Sequence, residues 1–102
     1  MLTSKQRAYL RGLASNIETI VMIGKGGMSD EIITQTREAL AARELIKGKV
    51  LVETSPISPR EAAEELAECI NCDVVQVIGS KFVLYKRHPK EPKIVLPKAS
   101  KK

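Results

Sequence analysis

Three helix starts alternate with four short β-rich runs along the 102 residues, and that order leaves few folds open. Helices repeat every 3.6 residues and strands every two, so each segment declares its type. Thr3 and Gln6 form a capping-box pattern, and Leu10, Leu13, Ala14 and Ile17 follow at helical spacing, which predicts a helix over about residues 3 to 15. Ile20-Val21-Met22-Ile23 is instead a continuous, β-branched-rich run stopped by Gly24, which predicts a buried strand. Ser29-Asp30-Glu31 supplies an N-cap and first-turn acids ahead of Ile32, Thr36 and Leu40, so a second helix is expected over 30–43.

From Leu45 to Glu53 the pattern alternates, with Ile46, Val50 and Val52 on one face and Lys47, Lys49 and Glu53 on the other: a strand with one wet face. Ser58-Pro59-Arg60-Glu61 combines an N-cap, a proline at the first helical position and a capping-box glutamate, which predicts a third helix over 59–71. Asp73 to Ile78 and Lys81 to Arg87 flank Gly79-Ser80, a two-residue hairpin signal. The order α-β-α-β-α-β-β therefore predicts an α/β fold, with one small mixed four-stranded sheet and three helices packed on it.

One core is what this length supports, and residues 1–87 are expected to form it. Beyond Arg87, Pro89, Pro92 and Pro97 alternate with lysines, so 88–102 is expected to be a basic, flexible tail. The net charge of +5 resides there, since residues 1–85 carry ten Lys and Arg against eleven Asp and Glu, and 86–102 carry seven against Glu91 alone. No apolar run approaches the roughly 18 residues that cross a bilayer, and the N-terminus lacks a secretory pattern. With only Cys69 and Cys72 a disulfide scaffold is excluded, and a cytoplasmic protein is expected.

Gly24-Lys25-Gly26-Gly27 joins a buried strand to a helix start, where free N–H groups and the helix dipole can meet an anion. Glycine lets a ligand approach the backbone, and Lys25 adds charge. The same four residues also suit a tight turn that needs positive φ. The spacing fits neither the phosphate loop of nucleotide hydrolases nor the dinucleotide fingerprint, so nucleotide hydrolysis is unsupported.

Other chemistries find less. Cys69-Ile70-Asn71-Cys72 has CxxC spacing, but the chain offers neither a second pair nor a neighbouring histidine, and both cysteines are expected to finish a helix and fill core. Glu61, Glu64, Glu65 and Glu68 read as a solvated helix face, with Ala62, Ala63, Leu66 and Ile70 facing the core. One histidine, His88, and no nucleophile–base pair argue against an enzyme. Tyr9, Phe82 and Tyr85 are the only aromatic residues, so base stacking on aromatic platforms is expected to be minor, with Tyr85 in the core.

Four ordered blocks together resemble the bacterial YhbY group of the CRM (chloroplast RNA splicing and ribosome maturation) domain: Leu2 to Arg7, Ile23 to Ser29, Glu44 to Lys47, and Val75 to Gly79 through Tyr85-Lys86-Arg87. Arg43 departs from the histidine usual before the Glu-Leu-Ile-Lys block. Gly48 departs from a β-branched residue, and implies a weakened strand or a bulge that leaves the register of Lys47 and Lys49 open.

The resemblance implies a fold like the C-terminal domain of bacterial initiation factor three, and RNA binding without a cofactor. Gly24, Lys25, Gly26 and Gly27 are then expected to hold the sugar-phosphate backbone. Lys5, Arg7, Arg11, Lys47 and Lys49 would meet flanking phosphates, and Lys86, Arg87 and the tail lysines would extend the footprint. For stand-alone bacterial members the resemblance implies ribosomal RNA in precursors of the large ribosomal subunit, and a part in ribosome assembly. The alternative is a protein-interaction module that docks on a ribosomal protein or another assembly factor, with the tail steering encounter.

Overall fold

A computed structural model describes residues 2–88 and Ile94. Helix α1 spans Ser4–Ala14, strand β1 Thr19–Ile23, α2 Asp30–Arg43, β2 Leu45–Val50, α3 Pro59–Ile70, β3 Asp73–Ile78 and β4 Lys81–Tyr85. The element order and the mixed four-stranded sheet are those expected from the sequence.

The local signals act as their chemistry requires. Thr3 and Gln6 close a reciprocal capping box at 3.1 Å in each direction, and Ser58 with Glu61 does the same for α3 behind Pro59. Ser29 Oγ accepts from the Ile32 N–H at 3.2 Å to start α2. α3 ends on Asn71 at φ +64, a left-handed conformation that asparagine tolerates.

Strand order is β1-β2-β4-β3. β1 and β2 run parallel across α2, whereas β4 pairs antiparallel with both β2 and β3. Gly79, at φ +58, supplies the turn between β3 and β4. On one face of the sheet α2 and α3 bury Val21, Ile23, Ile46, Val50, Phe82 and Leu84 together with Leu40 and Leu66. On the other face α1 brings Leu10 and Ala14 onto Leu45, Val75, Val83 and Tyr85. Among the described residues, α1 and Ile94 pack on that face, while Met22 and Ile78 at its far end are exposed.

Three expectations need correction. β2 stops at Val50 rather than at Glu53: the Leu51 N–H makes a last bond to β1, on Ile23 O at 2.8 Å, and Thr54 and Ser55 then donate back to Leu51 O, turning the chain. Val52, expected on the buried face, is consequently 55% exposed. β4 likewise ends at Tyr85 rather than Arg87.

Third, Gly48 does not bulge β2 against β4, where the pairing runs unbroken from Leu45↔Tyr85 to Lys49↔Lys81. A Cβ at Gly48 would overlap Cζ and Cε1 of Phe82, so glycine makes room for that ring on the core face. The irregularities lie in β1, between Thr19 and Val21 opposite Lys47 and Gly48, and in β3, between Val74 and Gln76.

Glu44, alone between α2 and β2, takes φ +66 and is fully buried. Its carboxylate accepts the His88 N–H at 2.8 Å and the Ile94 N–H at 2.7 Å, and its carbonyl accepts from Lys86 N. Of the segment expected to be a tail, His88 and Ile94 are thus tied to the domain, and Ile94 also packs against the Leu10 cluster. The remainder of 88–102 lies outside the described residues.

Candidate nucleic-acid interface

Gly24 to Gly27 forms a tight turn, with the Gly27 N–H donating to Gly24 O at 2.9 Å. The glycines are there for different reasons. Gly27 sits at φ +65, and a Cβ there would stand 2.8 Å from Pro56 Cγ, so the fold itself demands glycine. Gly26 has no positive φ, and a Cβ on it would meet no atom within 4 Å. Nothing among the described residues requires glycine at Gly26, which is exposed beside the exposed Lys25.

The adjoining helix start is less suited to phosphate than its position suggests. Ser29 already caps it, and the exposed Asp30 and Glu31 occupy its first turn. Carboxylates there offset the positive end of the dipole, so an anion at the loop meets turn N–H groups and lysines rather than the axis of α2.

Strand register decides which lysines join the loop. Val21 and Ile23 point to the α2–α3 side, so Met22 points to the α1 side, and its cross-strand partner is Lys49. Lys49 pairs in turn with Lys81, and Lys81 with Ile78. Met22, Lys49, Lys81 and Ile78 therefore form one row across all four strands, immediately before the glycine turn. Lys47, half-buried, lies one step back on the same face.

Lys81 was not among the cations selected from the sequence: the Gly79-Ser80 hairpin signal pairs it with Ile78, but its place beside Lys49 follows only from the strand order. Lys5 and Arg11 are exposed on α1, over that same side of the sheet, and the exposed Tyr9 stands one helical turn after Lys5. Arg7 is half-buried, with its Nε removed from solvent and without a hydrogen-bond partner among the described residues.

The other sequence-selected cations lie elsewhere. Lys86 and Arg87 follow Tyr85, which pairs with Leu45 at the opposite end of β2, about 17 Å from the glycine turn at ~3.3 Å per strand residue. Lys86 Nζ donates to the carbonyls of Ile70 and Asn71 at 3.2 and 3.0 Å, closing the C-terminus of α3. Arg87 is exposed beside a small recess lined by Arg37, Leu40, Ala41 and Ile70. The single footprint drawn from the sequence is thus divided between two ends of the sheet.

Charge divides by face as well. Glu61, Glu64, Glu65 and Glu68 are exposed on α3, across the sheet from α1 and the lysine row. An ion pair, Arg60 with Glu64 at 3.7 Å, is also on α3 and well solvated, where such a contact contributes little. Lys25, Lys47, Lys49 and Lys81 have no ion-pair partner among the described residues.

The cysteines also part company. Cys69 is exposed, contrary to the expectation that it fills core, while Cys72 packs partly against the larger core. Burial pushes the Cys72 thiol up to about 11, with the neighbouring Asp73 charge adding to the shift. A thiol held protonated is a poor nucleophile and metal ligand. Among the described residues no three His, Cys, Asp or Glu side chains group as metal ligands would, and no helix is long and apolar enough to cross a membrane.

Comparison with known proteins adds a family. The model of the CRS1 / YhbY (CRM) domain matches residues 2–86. A Bacillus subtilis (strain 168) protein named "Probable RNA-binding protein YqeI" is 42% identical over 97 residues, covering 95% of this chain and 100% of that protein. A Haemophilus influenzae protein named "RNA-binding protein" is 35% identical over 101 residues, covering 95% of this chain and 96% of the relative. The solution structure of the hypothetical protein SAV1595 from Staphylococcus aureus, put forward as an RNA binder, matches with a TM-score of 0.77 at 44% identity. That match covers 95% of this chain and 100% of that one.

Proposed function

The chain belongs to the CRS1 / YhbY (CRM) domain family, and on that premise we propose that it binds RNA through the Gly24–Gly27 turn and the lysines beside it. The observation that carries this reading is Gly26. Its φ is not positive and an added Cβ would meet no atom within 4 Å, so a ligand that approaches the backbone from outside accounts for the glycine where the fold does not. A sugar-phosphate backbone fits, because the N–H groups of Lys25 and Gly26 have no acceptor among the described residues and Lys25 adds charge at the same place.

The RNA is ribosomal RNA in precursors of the large subunit, and the protein acts in the cytoplasm as an assembly factor without chemistry of its own. Names borne by its relatives support the RNA half of this statement. Resemblance to stand-alone bacterial members of the family supports the ribosomal half.

Gly26→Ala is the cleanest test, because the alanine methyl group meets nothing in the free protein. The variant should keep or slightly raise thermal stability, as glycine replacement at a compatible site does by roughly 0.4–1 kcal/mol. In lysate sedimented through a sucrose gradient, wild type should travel with large-subunit precursors while Gly26→Ala shifts towards the top. Equal sedimentation of both proteins would remove the turn from the interface. Gly27 is unsuitable for this purpose, since its φ and Pro56 confound binding with folding.

A further inference from the structure

The open end of the α1-side sheet face carries a pattern that backbone neutralisation alone does not account for. Met22 and Ile78 flank the lysine row and are 53% and 61% exposed, two of the largest apolar exposures on the molecule. Between them Lys49 and Lys81 are direct cross-strand partners. The Val50 N–H bonds Ser80 O at 2.8 Å, which makes Val50 and Ser80 a hydrogen-bonded pair and Lys49 and Lys81 a non-hydrogen-bonded one. Side chains come closest in such a pair, with Cβ atoms roughly 4.5–5.5 Å apart.

Like charges opposed at that distance destabilise a sheet, and among the described residues neither lysine forms an ion pair, although Glu53 lines the same recess as Lys49. An anion that joins the pair would offset that repulsion. Apolar side chains on either side of the anion site would gain nothing from a duplex, whose phosphates face out and whose bases stay stacked. A single strand presents phosphates and the faces of unstacked bases together. A second copy of this chain is a poor occupant, because stacking the faces would bring four lysines together.

Resting on the RNA reading above, we propose that the Met22–Lys49–Lys81–Ile78 row extends the glycine turn into a site for single-stranded RNA. Lys49 and Lys81 take its phosphates, while Met22 and Ile78 take the faces of bases or riboses. The site thus distinguishes unpaired segments from helices, using aliphatic platforms where other sheet-based readers use aromatic ones.

The test is fluorescence anisotropy with two probes of matched composition, an unstructured RNA of about 12 nucleotides and a closed hairpin, titrated over a range of salt. Lys81→Gln should weaken single-strand binding and flatten its salt slope by about 0.7, while the thermal midpoint of the free protein stays level or rises. A structural lysine would not produce that combination. The double variant Met22→Ser, Ile78→Ser should weaken single-strand binding roughly fivefold or more, leave the salt slope unchanged and spare the hairpin.

Equal losses on both probes, or no loss in the Met22→Ser, Ile78→Ser variant, would overturn the single-strand assignment while leaving RNA binding through the turn intact. So would a change in sedimentation of that variant without a change in affinity, since the row would then serve protein contact. Wild type binding neither probe at low salt would overturn the RNA reading itself, and this inference with it.

Discussion

Replacing Gly48 with alanine tests the packing that sets Lys47 and Lys49 on their face. The added Cβ overlaps the Cζ edge of the Phe82 ring in the larger core, where both neighbouring strands are hydrogen-bonded and the ring is fully buried. Overpacking of this kind costs about 1–3 kcal/mol, against a gain of roughly 0.5–1 kcal/mol for removing a strand glycine. A net loss near 1–2 kcal/mol is expected, which in a domain of this size lowers the thermal midpoint by about 4–15 °C.

A double-mutant cycle isolates the cause. Phe82→Ala alone should cost about 3–5 kcal/mol, and in that background Gly48→Ala should become neutral or stabilising, because the obstructing ring is gone. Urea unfolding of the four proteins, with a coupling energy of about 2 kcal/mol or more, would agree with the ring-on-glycine contact. If Gly48→Ala cost the same with and without the Phe82 ring, the account of this position would be wrong.

Glu44→Gln preserves shape but turns one of two acceptors into a donor aimed at a backbone N–H, and should destabilise by about 1–3 kcal/mol. It should also speed tryptic cleavage after Arg87, and an unchanged cleavage rate would mean that the carboxylate does not anchor the segment holding His88 and Ile94. Cys69 should react with a thiol reagent at pH 8 in the native protein while Cys72 resists, its rate climbing only as pH nears its raised pKa of about 11. Because that pKa is raised from 9.0, its contribution to stability is fully present below pH 9 and is lost as pH rises from there through about 11. Melting curves of wild type and Cys72→Ala that fall in parallel above pH 9 would contradict this.

Cap residues, apolar periodicity and the glycine cluster are short-range features, and the sequence alone determined what depends on them: seven elements in order, the start of each helix, the β3–β4 hairpin and the turn at Gly24–Gly27. The side on which the α3 glutamates lie was equally legible, because Ala62, Leu66 and Ile70 mark the opposite face of the same helix. Tertiary structure decided whatever depends on two distant segments meeting. Lys81 joined Lys49 because β4 inserts between β2 and β3, an order that no local pattern encodes. Gly48 is a glycine because of Phe82, and Lys86 closes the C-terminus of α3 because β4 ends beside Ile70 and Asn71. Glu44, read from the sequence as part of a family block, became a buried anchor only when His88 and Ile94 returned to it. A side chain's partners across a sheet are set by register and strand order, and these follow from closing the whole core rather than from any window of residues.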